Sequence, residues 1–135
     1  MFAQVLGQLE QISQELIPRA LEGRRAAELF NDATRAERLC AAIKSRLARR
    51  VEETKVWREG GHRSAAHWMT DATGATVGAA SRTLETARAL EHLPETDAAF
   101  RSGQLSDVQA AEITSTAVSD PSAEAQLLRS PARRA

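Results

Sequence analysis

Apolar residues recur along this chain at three- and four-residue intervals, a spacing typical of amphipathic helices. The first run predicts a helix that ends near Pro18, because proline cannot continue one. The second predicts a long helix over about residues 24–59, which Gly60 and Gly61 end, since two adjacent glycines cost a helix about 2 kcal/mol relative to alanine. Its near-heptad spacing predicts packing along a partner helix. The runs are Phe2, Val5, Leu6, Leu9, Ile12 and Leu16, then Leu29, Ala33, Ala36, Cys40, Ile43, Leu47, Val51 and Trp57.

Capping residues mark several shorter helices after the two glycines. Ser64 is placed to cap a helix over residues 65–73, and Gly74 to end it in the left-handed conformation. Thr76 is placed to cap a helix over about residues 77–92, and a capping box at residues 106–109 opens another. No run alternates as a half-buried strand does. We therefore predict an all-α fold, a multi-helix bundle with one long helix and a helix-turn-helix-like unit.

Length and composition limit the organisation and class of the protein. Its 135 residues predict a single helical domain over residues 1–120, followed over 121–135 by a short last turn and a disordered tail, RSPARRA. Cys40, the single cysteine, excludes an internal disulfide and is expected to be a small core residue. Neither a signal peptide nor an apolar run of about 20 residues is present. These features predict a soluble, cytoplasmic protein with no membrane partner.

The formal net charge is zero, but the charges are unevenly distributed. Residues 35–63 carry nine Arg or Lys against four Asp or Glu, a net charge of +5. Residues 64–124 carry three against nine, a net charge of −6. The first block would attract nucleic-acid phosphates and the second would repel them.

The two capped helices joined by the Gly74 turn have the outline of a helix-turn-helix beside the basic block, so double-stranded DNA is the first partner to consider. Two alternatives remain open. Such helix pairs are common in any helical bundle, and the basic residues can instead pair with neighbouring glutamates on a solvated face. If DNA is bound, we expect contacts from Ser81, Arg82 and Arg88 on the second helix and from Arg49, Arg50 and Arg63 on the basic flank.

Nothing in the chain predicts catalysis, a metal or another cofactor. His62 and His67 are five residues apart without a cysteine or paired carboxylate at ligand spacing, and His92 stands alone. Neither Gly60-Gly61 nor the glycines near Val77 form a phosphate-binding loop, which needs a lysine and a preceding strand.

An ordered string of residues over roughly 5–120 resembles the actinobacterial family called domain of unknown function 222 (DUF222), or the thirteen-E-twelve repeat family. An Arg-rich, Lys-poor composition, with sixteen Arg and two Lys, is typical of a GC-rich genome. The matching segments are Arg49-Arg50-Val51-Glu52-Glu53, Gly61-His62-Arg63-Ser64-Ala65-Ala66-His67-Trp68, Leu84-Glu85-Thr86-Ala87-Arg88, Leu93-Pro94 and Ala99-Phe100-Arg101-Ser102-Gly103-Gln104-Leu105-Ser106.

The resemblance implies a helical region that precedes an HNH nuclease domain. An HNH site needs clustered His and Asn residues around a divalent metal. Here no histidine follows His92, and Asn31 is the single asparagine. We therefore expect a non-enzymatic accessory module that binds or positions DNA; the ending RSPARRA also fits a truncated or frameshifted copy of a longer protein, with no independent activity. The alternative is a protein-interaction module that forms a homo-oligomer through its long helix.

Overall fold

A computed structural model describes residues 1–129, and all regular secondary structure in that range is helical, as predicted. The expected disorder of the tail concerns residues that lie largely outside this range. Three 3-10 turns, Pro18–Ala20, Val56–Gly60 and Pro121–Ala123, accompany the α-helices. The helices are α1 (Ala3–Glu15), α2 (Gly23–Thr54), α3 (Ala65–Thr73), α4 (Val77–Leu90), α5 (Pro94–Arg101), α6 (Asp107–Ala117) and α7 (Glu124–Leu128).

The chain divides into two compact units, Met1–Thr34 and Arg35–Ala135. The first contains α1, a 3-10 turn and the start of α2, and none of residues 1–34 is buried. The predicted N-terminal helix is confirmed, but its apolar residues are exposed, for example Leu6 and Ile12 at 58% each. This unit therefore has no core of its own.

The second unit has two clusters of buried residues, and both α2 and α4 contribute to each of them. One cluster packs Ala42 of α2 and Leu90 of α4 against α5 and α6. The other packs Ala48 of α2 and Leu84 of α4 against α3. The full clusters are Ala42, Leu90, Phe100, Leu105, Ala110 and Ile113, and Ala48, Ala65, Ala66, Met69, Ala80 and Leu84.

The buried face of α2 differs from the predicted one. The buried residues are Ala42, Ser45 and Ala48, whereas Ile43 and Leu47 of the heptad-like stripe are 40% and 55% exposed. The prediction of a core position was also wrong for the exposed Cys40. Periodicity finds an apolar stripe, but small residues on another face can pack equally well within the chain.

The C-terminal end of α2 also differs from the prediction. The α-helix ends at Thr54 rather than near residue 59, because Lys55 adopts the left-handed conformation with φ of 59°. A 3-10 turn over Val56–Gly60 follows, so Trp57 leaves the helical stripe. Gly61, with φ of 80°, then ends that turn.

A buried carboxylate attaches the last turn of the described chain to α5. Glu124 is 6% exposed and accepts hydrogen bonds from the backbone N–H groups of Glu95 and Thr96, at 2.7 and 3.3 Å. These donors lie in the first turn of α5 and have no partner within the helix. Because α5 begins with Pro94 and has no side-chain cap of its own, Glu124 supplies that cap from a distance in sequence.

Candidate nucleic-acid interface

The helix-turn-helix-like unit consists of α3 and α4, which pack directly on one another. Met69 of α3 and Leu84 of α4 belong to the same buried cluster. Gly74 ends α3 with φ of 77°, a conformation that favours glycine. The predicted caps are both present: Ser64 Oγ accepts from the His67 N–H at 3.2 Å, and Thr76 Oγ1 accepts from the Ala79 N–H at 3.1 Å.

The outward face of α4 carries one cation without an internal partner. Arg82 is exposed and makes no ion pair within residues 1–129. Ser81 beside it is half-buried, and Glu85 is exposed on the same helix. Arg82 is therefore available to an external anion, whereas Glu85 opposes one.

Two of the predicted DNA contacts, Arg88 and Arg49, form ion pairs within the chain. Arg88 donates to both carboxylate oxygens of Glu52, from Nε at 2.9 Å and from Nη2 at 2.5 Å. Arg49 donates to Glu52 at 3.2 Å and to Glu91 at 2.7 Å. The hydrogen bond from Arg88 is the main cause that lowers the pKa of Glu52, and the same bond raises the pKa of Arg88.

The remaining basic residues of the flank are at the surface. Arg50 is 3.9 Å from Glu53 and its side chain is 72% exposed, so the pair is loose. Arg63 is exposed and has no ion pair within the described part of the chain. The guanidinium of Arg58 lies 5.2 Å from the centroid of the Trp57 ring, a cation–π contact. Arg50 and Arg63 therefore remain open to phosphates.

A groove that the sequence did not reveal lies between α4 and α6, with α2 at its base. Its volume is about 960 Å³, and Arg82 and Arg88 are among the residues that line it. Ser45 also lines it; this residue is 3% exposed, and its hydroxyl has no hydrogen-bond partner within the described part of the chain. The sequence signal that could have indicated this groove is Ser45, a serine on a face of α2 that is otherwise formed by alanine. The groove adjoins the outward side of α4.

His62 connects the 3-10 turn before α3 to α3 itself, whereas His67 contacts the cap of its own helix. Nε2 of His62 lies 2.8 Å from the Asp71 carboxylate, and its Nδ1 lies 3.3 Å from the carbonyl oxygen of Trp57. Nδ1 of His67 lies 2.7 Å from Ser64 Oγ.

Among residues 1–129, no three His, Cys, Asp or Glu residues are arranged to hold a metal ion. No helix in that range has the length and apolar character needed to cross a membrane.

Comparison with known proteins identifies one family. The family model described as "Domain of unknown function (DUF222)" matches residues 26–135, which is most of the chain. This match confirms the family resemblance that was drawn from the sequence. No curated protein and no solved structure matches the chain.

Proposed function

The chain belongs to the DUF222 family, and we propose that it acts as a non-catalytic helical module that binds or positions double-stranded DNA. The observation that carries this proposal is Arg82, which is exposed on the second helix of a capped helix pair and has no ion pair among the described residues. In helix-turn-helix proteins the second helix enters the major groove, where arginine reads bases or contacts phosphates.

The ion pairs narrow the set of DNA contacts. Arg49 and Arg88 are held by carboxylates on neighbouring helices, so recruiting them to phosphate would break those bonds. The residues that remain available to contact DNA are then Arg82 and Ser81 on α4 and Arg50 and Arg63 on the basic flank. A small set of cations predicts weak binding that is not specific for sequence, with a modest salt dependence of about 0.9 in the slope of log K against log salt for each phosphate contact.

Within this proposal the module acts beside an HNH nuclease domain, as the family resemblance implies, and is the part that holds DNA rather than the part that cuts it. Within this proposal the chain itself needs no metal or other cofactor. The unpaired Cys40 supports a reducing, cytoplasmic location.

The test is fluorescence anisotropy of a labelled random duplex, titrated with the protein at several salt concentrations. Arg82→Gln should weaken binding and reduce the slope of log K against log salt by about 0.9, the loss of one phosphate contact. Arg101→Gln is the matched control, because it removes the same charge from an exposed residue of α5 that pairs with Asp97. Equal binding by the parent and by Arg82→Gln would exclude Arg82 as a DNA contact and remove the observation that carries the proposal. No binding at low salt would exclude the DNA role itself.

A second candidate function is protein interaction through the long helix. The observation that favours it is the exposure of Ile43 and Leu47, two large apolar residues on one side of α2. Exposed apolar surface of this kind marks interaction sites when it is contiguous. A molecular mass above 14.7 kDa that rises with protein concentration is the expected result.

A further inference from the structure

One side of α2 carries an apolar stripe that residues 1–129 do not bury. The outer stripe, defined here as Ala36, Cys40, Ile43 and Leu47, lies opposite the buried face of Ala42, Ser45 and Ala48 on the helical wheel. Cys40, Ile43 and Leu47 are all exposed.

The outer stripe has the spacing of a coiled-coil seam. Its intervals of four, three and four residues are those of alternating d and a positions in a heptad, and Leu29 and Ala33 continue the pattern toward the N terminus of α2. Such a seam packs its side chains as knobs between the side chains of a facing helix. A surface of this geometry therefore fits another helix better than a flat or extended partner.

Side-chain size indicates whether the partner helix packs parallel or antiparallel to α2. In a parallel, in-register pair of α2 helices, Ala36 would face Ala36 and Leu47 would face Leu47. The two small alanine side chains would then leave a gap at their end of the stripe. In an antiparallel pair, Ala36 faces Leu47 of the second copy, and Cys40 faces its Ile43. Each layer then combines one small and one large side chain, the alternation that fills a helix interface evenly.

The charges beside the stripe favour the same direction. Glu37 and Lys44 occupy equivalent positions next to the seam, both are exposed, and neither has an ion pair within residues 1–129. In the antiparallel pair, Glu37 of each copy lies near Lys44 of the other, so the attraction occurs twice. In the parallel pair, Asp32 would instead lie near Glu37 of the other copy, and the two carboxylates would repel.

We propose that the outer stripe is the contact between two copies of this chain, joined by antiparallel packing of their α2 helices. A two-fold axis makes the surface self-complementary, because every contact of one copy is repeated by the other. The inference rests on the interaction role, the second candidate function, and does not require DNA binding.

The first experiment measures the mass of the full chain by sedimentation over a range of protein concentrations, with reductant present so that Cys40 cannot crosslink. The parent should approach twice 14.7 kDa. Leu47→Ser should remain monomeric, whereas the control Val108→Ser, which changes an exposed apolar residue of α6, should dimerise like the parent. Circular dichroism shows that each variant keeps its helices. A parent that stays at 14.7 kDa at every concentration would overturn the interaction role and the inference together.

A charge exchange tests the direction of the helices separately. Glu37→Lys should weaken the antiparallel dimer about fivefold by placing like charges together at two symmetric positions, and Lys44→Glu added to it should restore the affinity. In a parallel dimer Glu37→Lys would strengthen association by removing the repulsion from Asp32. A stronger dimer, or a double variant without restored affinity, would overturn the antiparallel arrangement while leaving the interaction role intact.

Discussion

Glu52 is the carboxylate that links α2 to α4 by an ion pair, beside the buried apolar residues that the two helices share. It accepts two hydrogen bonds from Arg88 and one from Arg49, and its side chain is 22% exposed. Glu52→Gln keeps the size of the side chain but removes its charge. The amide cannot accept both hydrogen bonds from Arg88 through oxygen, because one of its two terminal atoms is a donor. The guanidinium of Arg88 then keeps only one acceptor oxygen and loses the negative charge of its partner.

The exposures of the two side chains set the size of the effect. A hydrogen bond to a charged group contributes about 1.5–3 kcal/mol where water is excluded. The Arg88 side chain is 49% exposed, and exposed ion pairs contribute about 1 kcal/mol or less. We therefore expect Glu52→Gln to lower the free energy of unfolding by about 1 kcal/mol, which corresponds to a fall in Tm of about 4 °C for a domain of this size.

Thermal unfolding followed by circular dichroism measures this change, with Glu53→Gln as the matched control. Glu53 is the next residue of the same helix, and its pair with Arg50 spans 3.9 Å between exposed side chains. The control should shift Tm by about 1 °C or less. Equal effects of the two substitutions would refute the reasoning, because the contact between helices would then contribute no more than a loose surface pair.

The dependence on pH provides a second check of the same variant. Because Arg88 lowers the pKa of Glu52 in the folded protein, the ion pair stabilises the fold above the ordinary glutamate pKa of about 4.3. That contribution is lost as the pH falls through the lowered pKa. The difference in stability between the parent and Glu52→Gln should therefore be present at neutral pH and shrink in acid. A difference that stays constant into acid would contradict an electrostatic origin.

Three further predictions concern the core, the turn and the remote cap. Leu84→Ala should destabilise by about 3 kcal/mol in chemical denaturation, because Leu84 is 2% exposed and its loss opens a cavity; a loss below about 1 kcal/mol would contradict its core role. Gly74→Ala should cost about 1–2 kcal/mol at φ of 77°, whereas Gly78→Ala, inside α4 with no close contact, should not destabilise. Glu124→Ala should cost about 1–2 kcal/mol and speed amide exchange at Glu95 and Thr96; unchanged exchange would exclude the cap.

The local features of this protein could be predicted from its sequence, because they depend on residues a few positions apart. Ser64, Thr76 and Ser106 cap the helices that follow them by bonding a backbone N–H three residues on. Gly74 ends α3 because its left-handed conformation is costly for other residues. These signals, with the three- and four-residue spacing of apolar residues, were sufficient for the all-α class and for most helix ends.

The candidate site was only partly predictable, because its charges pair over long distances in sequence. Arg88 bonds to Glu52 across 36 positions, and Arg49 bonds to Glu91 across 42. A count of charges could show a basic block beside an acidic one, but it could not show which cations were already neutralised. Among residues 1–129 the structure shows no ion pair for Arg82 or Arg63, a distinction that the sequence does not contain.

The direction in which α2 packs was likewise decided only by tertiary structure. The heptad-like stripe correctly marked an apolar side of this helix, yet the chain buries Ala42, Ser45 and Ala48 on the opposite side. A hydrophobic pattern reports the preference of a side chain for leaving water, and that preference is the same whichever surface covers it. Whether a stripe meets its own domain or remains exposed depends on where the other helices lie, and that is set by the fold as a whole.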